Sequence, residues 1–150
     1  MAMLRHNHIK SVRAAALAIL MAGLAFVTPV AGFAQDFPKL TGRVTDAASI
    51  IPAEDEALLT QKLEALEQQS QRQLVIATVP SLGGYDIADY GYRLGREWGI
   101  GDKERNDGAL LIVAPKERKV RIEVGYGLEP VLTDGLSWMI INNEIVPRFK

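Results

Sequence analysis

Two six-residue runs of different hydropathy period stand four residues apart in this chain. Ala109–Ala114 is apolar throughout. Lys119–Val124 alternates, with Val120, Ile122 and Val124 on one side and Lys119, Arg121 and Glu123 on the other. A short continuous run fits a strand buried on both faces, and a strict alternation fits a strand with one polar face. The turn Pro115–Arg118 between them leaves room only for a hairpin, so the two strands pair antiparallel. Antiparallel neighbours begin and end at the same edge of a sheet, which brings Asp107 toward Glu123, Gly125, Tyr126 and Glu129. That edge is the first place to look for chemistry.

The preceding elements decide what the hairpin joins. Pro52 suits the first turn of a helix and Glu54, Asp55 and Glu56 suit its positive end. Leu59, Leu63 and Leu66 recur on one face, so a helix is expected over 52–70. Leu74–Val79 is another short apolar run rich in β-branched residues, closed by Pro80-Ser81-Leu82-Gly83-Gly84. Asp86 can cap the next helix, whose apolar stripe is Ile87, Tyr90, Leu94 and Trp98, and Gly99-Ile100-Gly101 stops it. This β-α-β order implies a parallel pair, so the sheet is mixed and packed by helices. A last helix is capped by Thr133 or Asp134 and is ended or bent by Pro147. Gly42–Asp46 reads as a short extended entry segment.

The first 34 residues read as a secretory signal. Arg5, Lys10 and Arg13 precede an apolar run from Ala14 to Val27, followed by Thr28-Pro29 and the small residues Gly32 and Ala34. That run is short for a membrane span, and cleavage is expected between Ala34 and Gln35, with an uncleaved anchor as the alternative. Residues 35–41 read as a polar, proline-containing linker. Both histidines, His6 and His8, lie in the leader and the chain has no cysteine. The exported remainder would therefore lack Ser-His-Asp and Cys-His catalysis, thiolate chemistry and ordinary zinc sites. It carries 14 Lys and Arg against 18 Asp and Glu, a net charge of −4 that offers nucleic acid no footprint.

Several segments together resemble the TPM domain family, found in thylakoid-lumen photosystem repair proteins and in exported or membrane-anchored bacterial proteins. They are Gly-Arg-Val-Thr-Asp (42–46), Trp-Gly-Ile-Gly (98–101), Asn-Asp-Gly-Ala-Leu-Leu-Ile-Val-Ala (106–114), Arg-Ile-Glu-Val-Gly-Tyr-Gly-Leu-Glu (121–129) and Leu-Thr-Asp (132–134). The resemblance covers about 41–150. It implies an α/β three-layer sandwich over 42–150, possible divalent-cation binding, and weak acid-phosphatase activity of the kind reported for some plant members. Other members look like modulators of membrane protein complexes, which makes a membrane protein or complex the expected partner. Similar sequences continue past Pro-Arg-Phe with a Gly-Asp-Tyr-like segment, and bacterial ones often add a membrane helix. The domain is therefore expected to be truncated relative to the family.

The strand pairing gathers Asn106, Asp107, Glu123, Glu129 and Asp134 with the carbonyls of Gly125 and Tyr126. Oxygen-only ligands select hard cations, so Asp107, Glu123, Glu129 and Asp134 are the candidate ligands for Ca²⁺ or Mg²⁺. The competing assignments are Asp107-Gly108 as a turn, Asp134 as a helix cap, and Glu123 as a solvent-facing strand residue. Asp86 and Asp89, near Ser81, Gly83 and Gly84, form a second acidic group at the opposite strand ends, with capping as its expected role. Gly125-Tyr126-Gly127-Leu128-Glu129-Pro130 lacks the third glycine of a dinucleotide fingerprint, and no organic cofactor is expected. Gly125 and Gly127 are read as supplying positive φ for a chain reversal. The hairpin tip Pro115–Lys119 is basic, as solvated tips often are. Two functions are open: a non-enzymatic module that serves a membrane complex, and a metal-assisted phosphomonoesterase without a histidine or cysteine.

Overall fold

The structure, a computed structural model, describes residues 36–149. They form β1 (Val44–Asp46), α1 (Ala53–Ser70), β2 (Leu74–Thr78), α2 (Ile87–Trp98), β3 (Ala109–Ala114), β4 (Lys119–Val124) and α3 (Asp134–Ile140). A π-helical turn (Ile141–Ile145) and a 3-10 turn (Val146–Arg148) follow α3. The strands lie in the order β1-β2-β3-β4. The first two pairings are parallel and the last is antiparallel. The expected mixed α/β sheet is present.

The side chains sort by face. Val75, Ala77, Leu110, Ile112 and Ala114 form one buried cluster with Leu82, Tyr90 and Leu94, which places α2 over this face. Val44, Ile76, Leu111 and Ile122 share a register row on the other face. There Val44 and Leu63 of α1 are buried outside that cluster. Apolar residues at helical spacing thus cover both sides of the sheet, which gives three layers.

Local chemistry explains the element ends. The Asp86 carboxylate accepts from the Ala88 amide at 2.8 Å and caps α2, whose last turn closes on Gly99 at φ 60°. Pro52 stands just before α1, not inside its first turn. Thr133 caps α3, its hydroxyl accepting from the Leu136 amide at 3.2 Å, and Asp134 is the first helical residue. The open choice between these two caps goes to Thr133.

Register puts the polar face of β4 in an unexpected place. Glu123 pairs with Leu110 and Arg121 with Ile112, so both lie on the face that α2 covers. Gly91 of α2 sits above them, and a Cβ there would lie 2.5 Å from Ile112 Cδ1 and 3.5 Å from Glu123 Oε2. Glu123 is half-buried and bound to Arg121 Nε at 2.7 Å, so it is not an ordinary solvent-facing strand residue.

Candidate functional site

The edge where β3 begins and β4 ends is built from backbone. The Gly125 amide donates to the Gly108 carbonyl at 2.8 Å and the Gly127 amide to the Asn106 carbonyl at 2.9 Å. The hairpin ladder therefore runs past the strand ends, and the expected meeting of 106–108 with 125–127 is found. Neither Gly125 nor Gly127 has positive φ. Their reading as φ donors gives way to another reason. A Cβ on Gly127 would overlap the Arg105 carbonyl oxygen, and one on Gly125 would overlap that of Asn106. A Cβ on Gly108 would lie 2.5 Å from the Ile100 carbonyl oxygen. Three backbone segments meet here with no room for side chains.

Asp107 anchors this knot. It is buried, accepts from Arg105 Nε at 2.6 Å, and accepts from the Asp102 amide at 3.1 Å. The Arg105 guanidinium and then the Asp102 amide hold its carboxyl below the usual carboxylate range. Asp102 is held low in the same way by the amides of Arg105 and Glu104. Arg105 also donates to the Gln71 carbonyl at 3.1 Å, which ties the loop to the end of α1.

The four candidate ligands are brought together only in part. Asp107 faces Arg105 and Glu123 faces Arg121, while Glu129 and Asp134 are exposed. Among the described residues no three acidic side chains converge as a cation ligand set. As the side chains stand, a cation at Asp107 would have to compete with Arg105. The turn above the knot instead displays Tyr126, 78% exposed, between the hydrogen-bonded amides of Gly125 and Gly127.

At the opposite strand ends Asp86 caps α2, also lying 3.7 Å from Lys119, and Asp89 pairs with Arg93 at 3.0 Å. The capping role expected of Asp86 is the one it has. Glu117, within the tip read as basic, accepts from the Ser81 hydroxyl at 2.8 Å and the Leu82 amide at 3.0 Å. Those two donors hold its carboxyl low and tie the hairpin to the loop after β2. Sequence reading missed Glu117, because its partners lie 35 and 36 residues away.

The TPM domain family matches residues 44–150. A solved N-terminal domain of a protein from P. gingivalis is 36% identical, with a TM-score of 0.67 over 73% of this chain and 69% of that one. The N-terminal domain of cg2496 protein from Corynebacterium glutamicum is 18% identical, with a TM-score of 0.50 over 63% of this chain and 60% of its own, a likeness of fold alone. No curated protein matches the chain.

Proposed function

Because this chain belongs to the TPM domain family, we propose that it is a non-enzymatic docking module that supports the assembly, maintenance or modulation of a membrane protein complex. The observation that carries the reading is a concentration of exposed apolar side chains along one stretch of the chain. More than half of the exposed large hydrophobics among the described residues fall between Tyr126 and Phe149. They include Val131, Trp138 (64% exposed), Met139 (52% exposed) and Val146. Single exposed apolar residues are ordinary on a soluble protein, whereas a concentration of them favours a partner surface. Aromatic side chains such as Tyr126 and Trp138 are the residues that anchor interfaces.

Export, with cleavage between Ala34 and Gln35, belongs to the same proposal and rests on residues outside those described. A bound Ca²⁺ or Mg²⁺ that orders the acidic edge is its further part. The phosphomonoesterase is the weaker alternative, because it needs, besides a cation that displaces Arg105 from Asp107 or Arg121 from Glu123, a general acid or nucleophile that the sequence does not position.

The test is site-specific photo-crosslinking of the full chain in the cells that make it, with the reactive group at Tyr126, at Trp138, or at the exposed Glu64 on α1. Adducts to one membrane protein from the first two positions and not the third are the expected result. Equal labelling from all three would overturn the docking reading. Metal-dependent phosphate release from p-nitrophenyl phosphate that Asp107→Asn abolishes would replace it with the enzyme.

A further inference from the structure

Residues 36–41, expected as a linker, lie against the domain in a manner that resembles a bound peptide. The Phe37 ring stands edge-on to Tyr90, with centroids 5.2 Å apart and planes at 85°, and packs against the core cluster. The next residue offers its backbone: the Trp98 indole Nε1–H donates to the Pro38 carbonyl at 2.9 Å. Lys39 and Leu40 then cross solvent. Thr41 fastens the far end, its amide donating to Thr45 Oγ1 at 3.1 Å and its hydroxyl to the Val44 carbonyl at 3.3 Å.

The recognition elements are few and specific. An edge-to-face aromatic pair stabilises beyond the area it buries, and a half-buried indole N–H needs an acceptor. Proline after the aromatic fixes its own φ and biases the preceding residue to an extended backbone, so such a segment loses little freedom on binding. Tyr90 and Trp98 both belong to α2, so the receptor is part of the scaffold.

We infer that the Tyr90–Trp98 face of α2 is a receptor for an extended polypeptide segment in which an aromatic residue is followed by proline, and that residues 36–38 are its resident occupant. The tether to β1 gives that occupant an effective concentration on the order of millimolar. A segment of the same chemistry on another polypeptide displaces it only by exceeding that advantage.

The experiment uses the full chain with Phe37→Ala, the synthetic peptide Gln-Asp-Phe-Pro-Lys-Leu-Thr (residues 35–41), and the NMR signal of the Trp98 indole N–H, assigned with Trp98→Phe. In Phe37→Ala the signal should move toward that of a water-exposed indole, and the peptide should return it saturably to the wild-type position. The same peptide with alanine for phenylalanine should do nothing. Wild type should need at least ~10-fold more peptide, because its site is filled. An indole signal that Phe37→Ala leaves in place would overturn the inference. So would a peptide without effect at several millimolar, or equal action of both peptides. Should Phe37→Ala fail to fold, Phe37→Leu carries the same comparison, with a smaller initial shift and the same overturning results.

Discussion

Replacing Gly127 by alanine tests the claim that this glycine is there for space and not for backbone angle. Its φ is not positive, so alanine meets no conformational penalty of the left-handed kind. The added methyl would overlap the Arg105 carbonyl oxygen and lie 3.2 Å from that of Asn106, and both are backbone atoms that no rotamer change can move. Overpacking of this sort costs about 1–3 kcal/mol. The shift needed to relieve it breaks the Gly127–Asn106 hydrogen bond, worth about 1 kcal/mol. The sum is roughly 3 kcal/mol, and a domain of this size should melt about 10–15 °C lower. Gly135→Ala is the matched control. Gly135 lies within α3, a Cβ there would come no nearer than 4.0 Å to Thr133 Oγ1, and the change should raise helix stability by about 0.5–1 kcal/mol. Thermal melts followed by circular dichroism decide the matter. A Gly127→Ala melting temperature within roughly 3 °C of wild type would refute the argument.

Acid should destabilise the domain in a defined window. Burial pushes the Asp46 carboxyl up, but hydrogen bonds from Thr78 Oγ1 and the amides of Ile51, Ile50 and Ser49 outweigh it and leave it lowered. Asp102, Asp107 and Glu117 are lowered as well. A depressed folded-state pKa contributes stability that is full above the unfolded value near ~4 and is lost as the pH falls through the folded value. Urea midpoints should therefore be flat above about pH 5 and drop below pH 4, and Asp107→Asn should shrink the drop; an unchanged slope in that variant would count against the Arg105–Asp107 account. Ca²⁺ titrated calorimetrically into the full chain should bind more tightly in Arg105→Ala than in wild type, because the guanidinium competes for Asp107. Absence of saturable heat in both at several millimolar would remove the cation from the proposal.

Legibility in the sequence followed the range of the interactions. The helices and strands stand close to where the period places them, because Leu59 and Leu63, or Ile87, Tyr90 and Leu94, report a local face within a few turns, although Leu66, read onto the same face of α1, is exposed. The hairpin edge was also legible, since a four-residue turn leaves one way to pair Ala109–Ala114 with Lys119–Val124. The side of the sheet on which Glu123 falls was not, because it depends on where α2 settles. The reason for Gly125 and Gly127 was hidden for the same cause. A φ requirement can be guessed from neighbours, but a carbonyl arriving from residue 105 or 106 cannot. Phe37 and Pro38 read as linker because their partners, Tyr90 and Trp98, lie more than fifty residues away.

Strand order in space equals strand order in the chain. No strand has to insert between two that formed earlier, so each arriving segment adds to the open margin of what already exists. For a polypeptide delivered N-terminus first, β2 can join β1 and β3 can join β2 before β4 has emerged, and the closing step is a hairpin with a four-residue turn. The sheet can thus grow vectorially, with its final margin, and the crowded glycine crossing beside it, completed last.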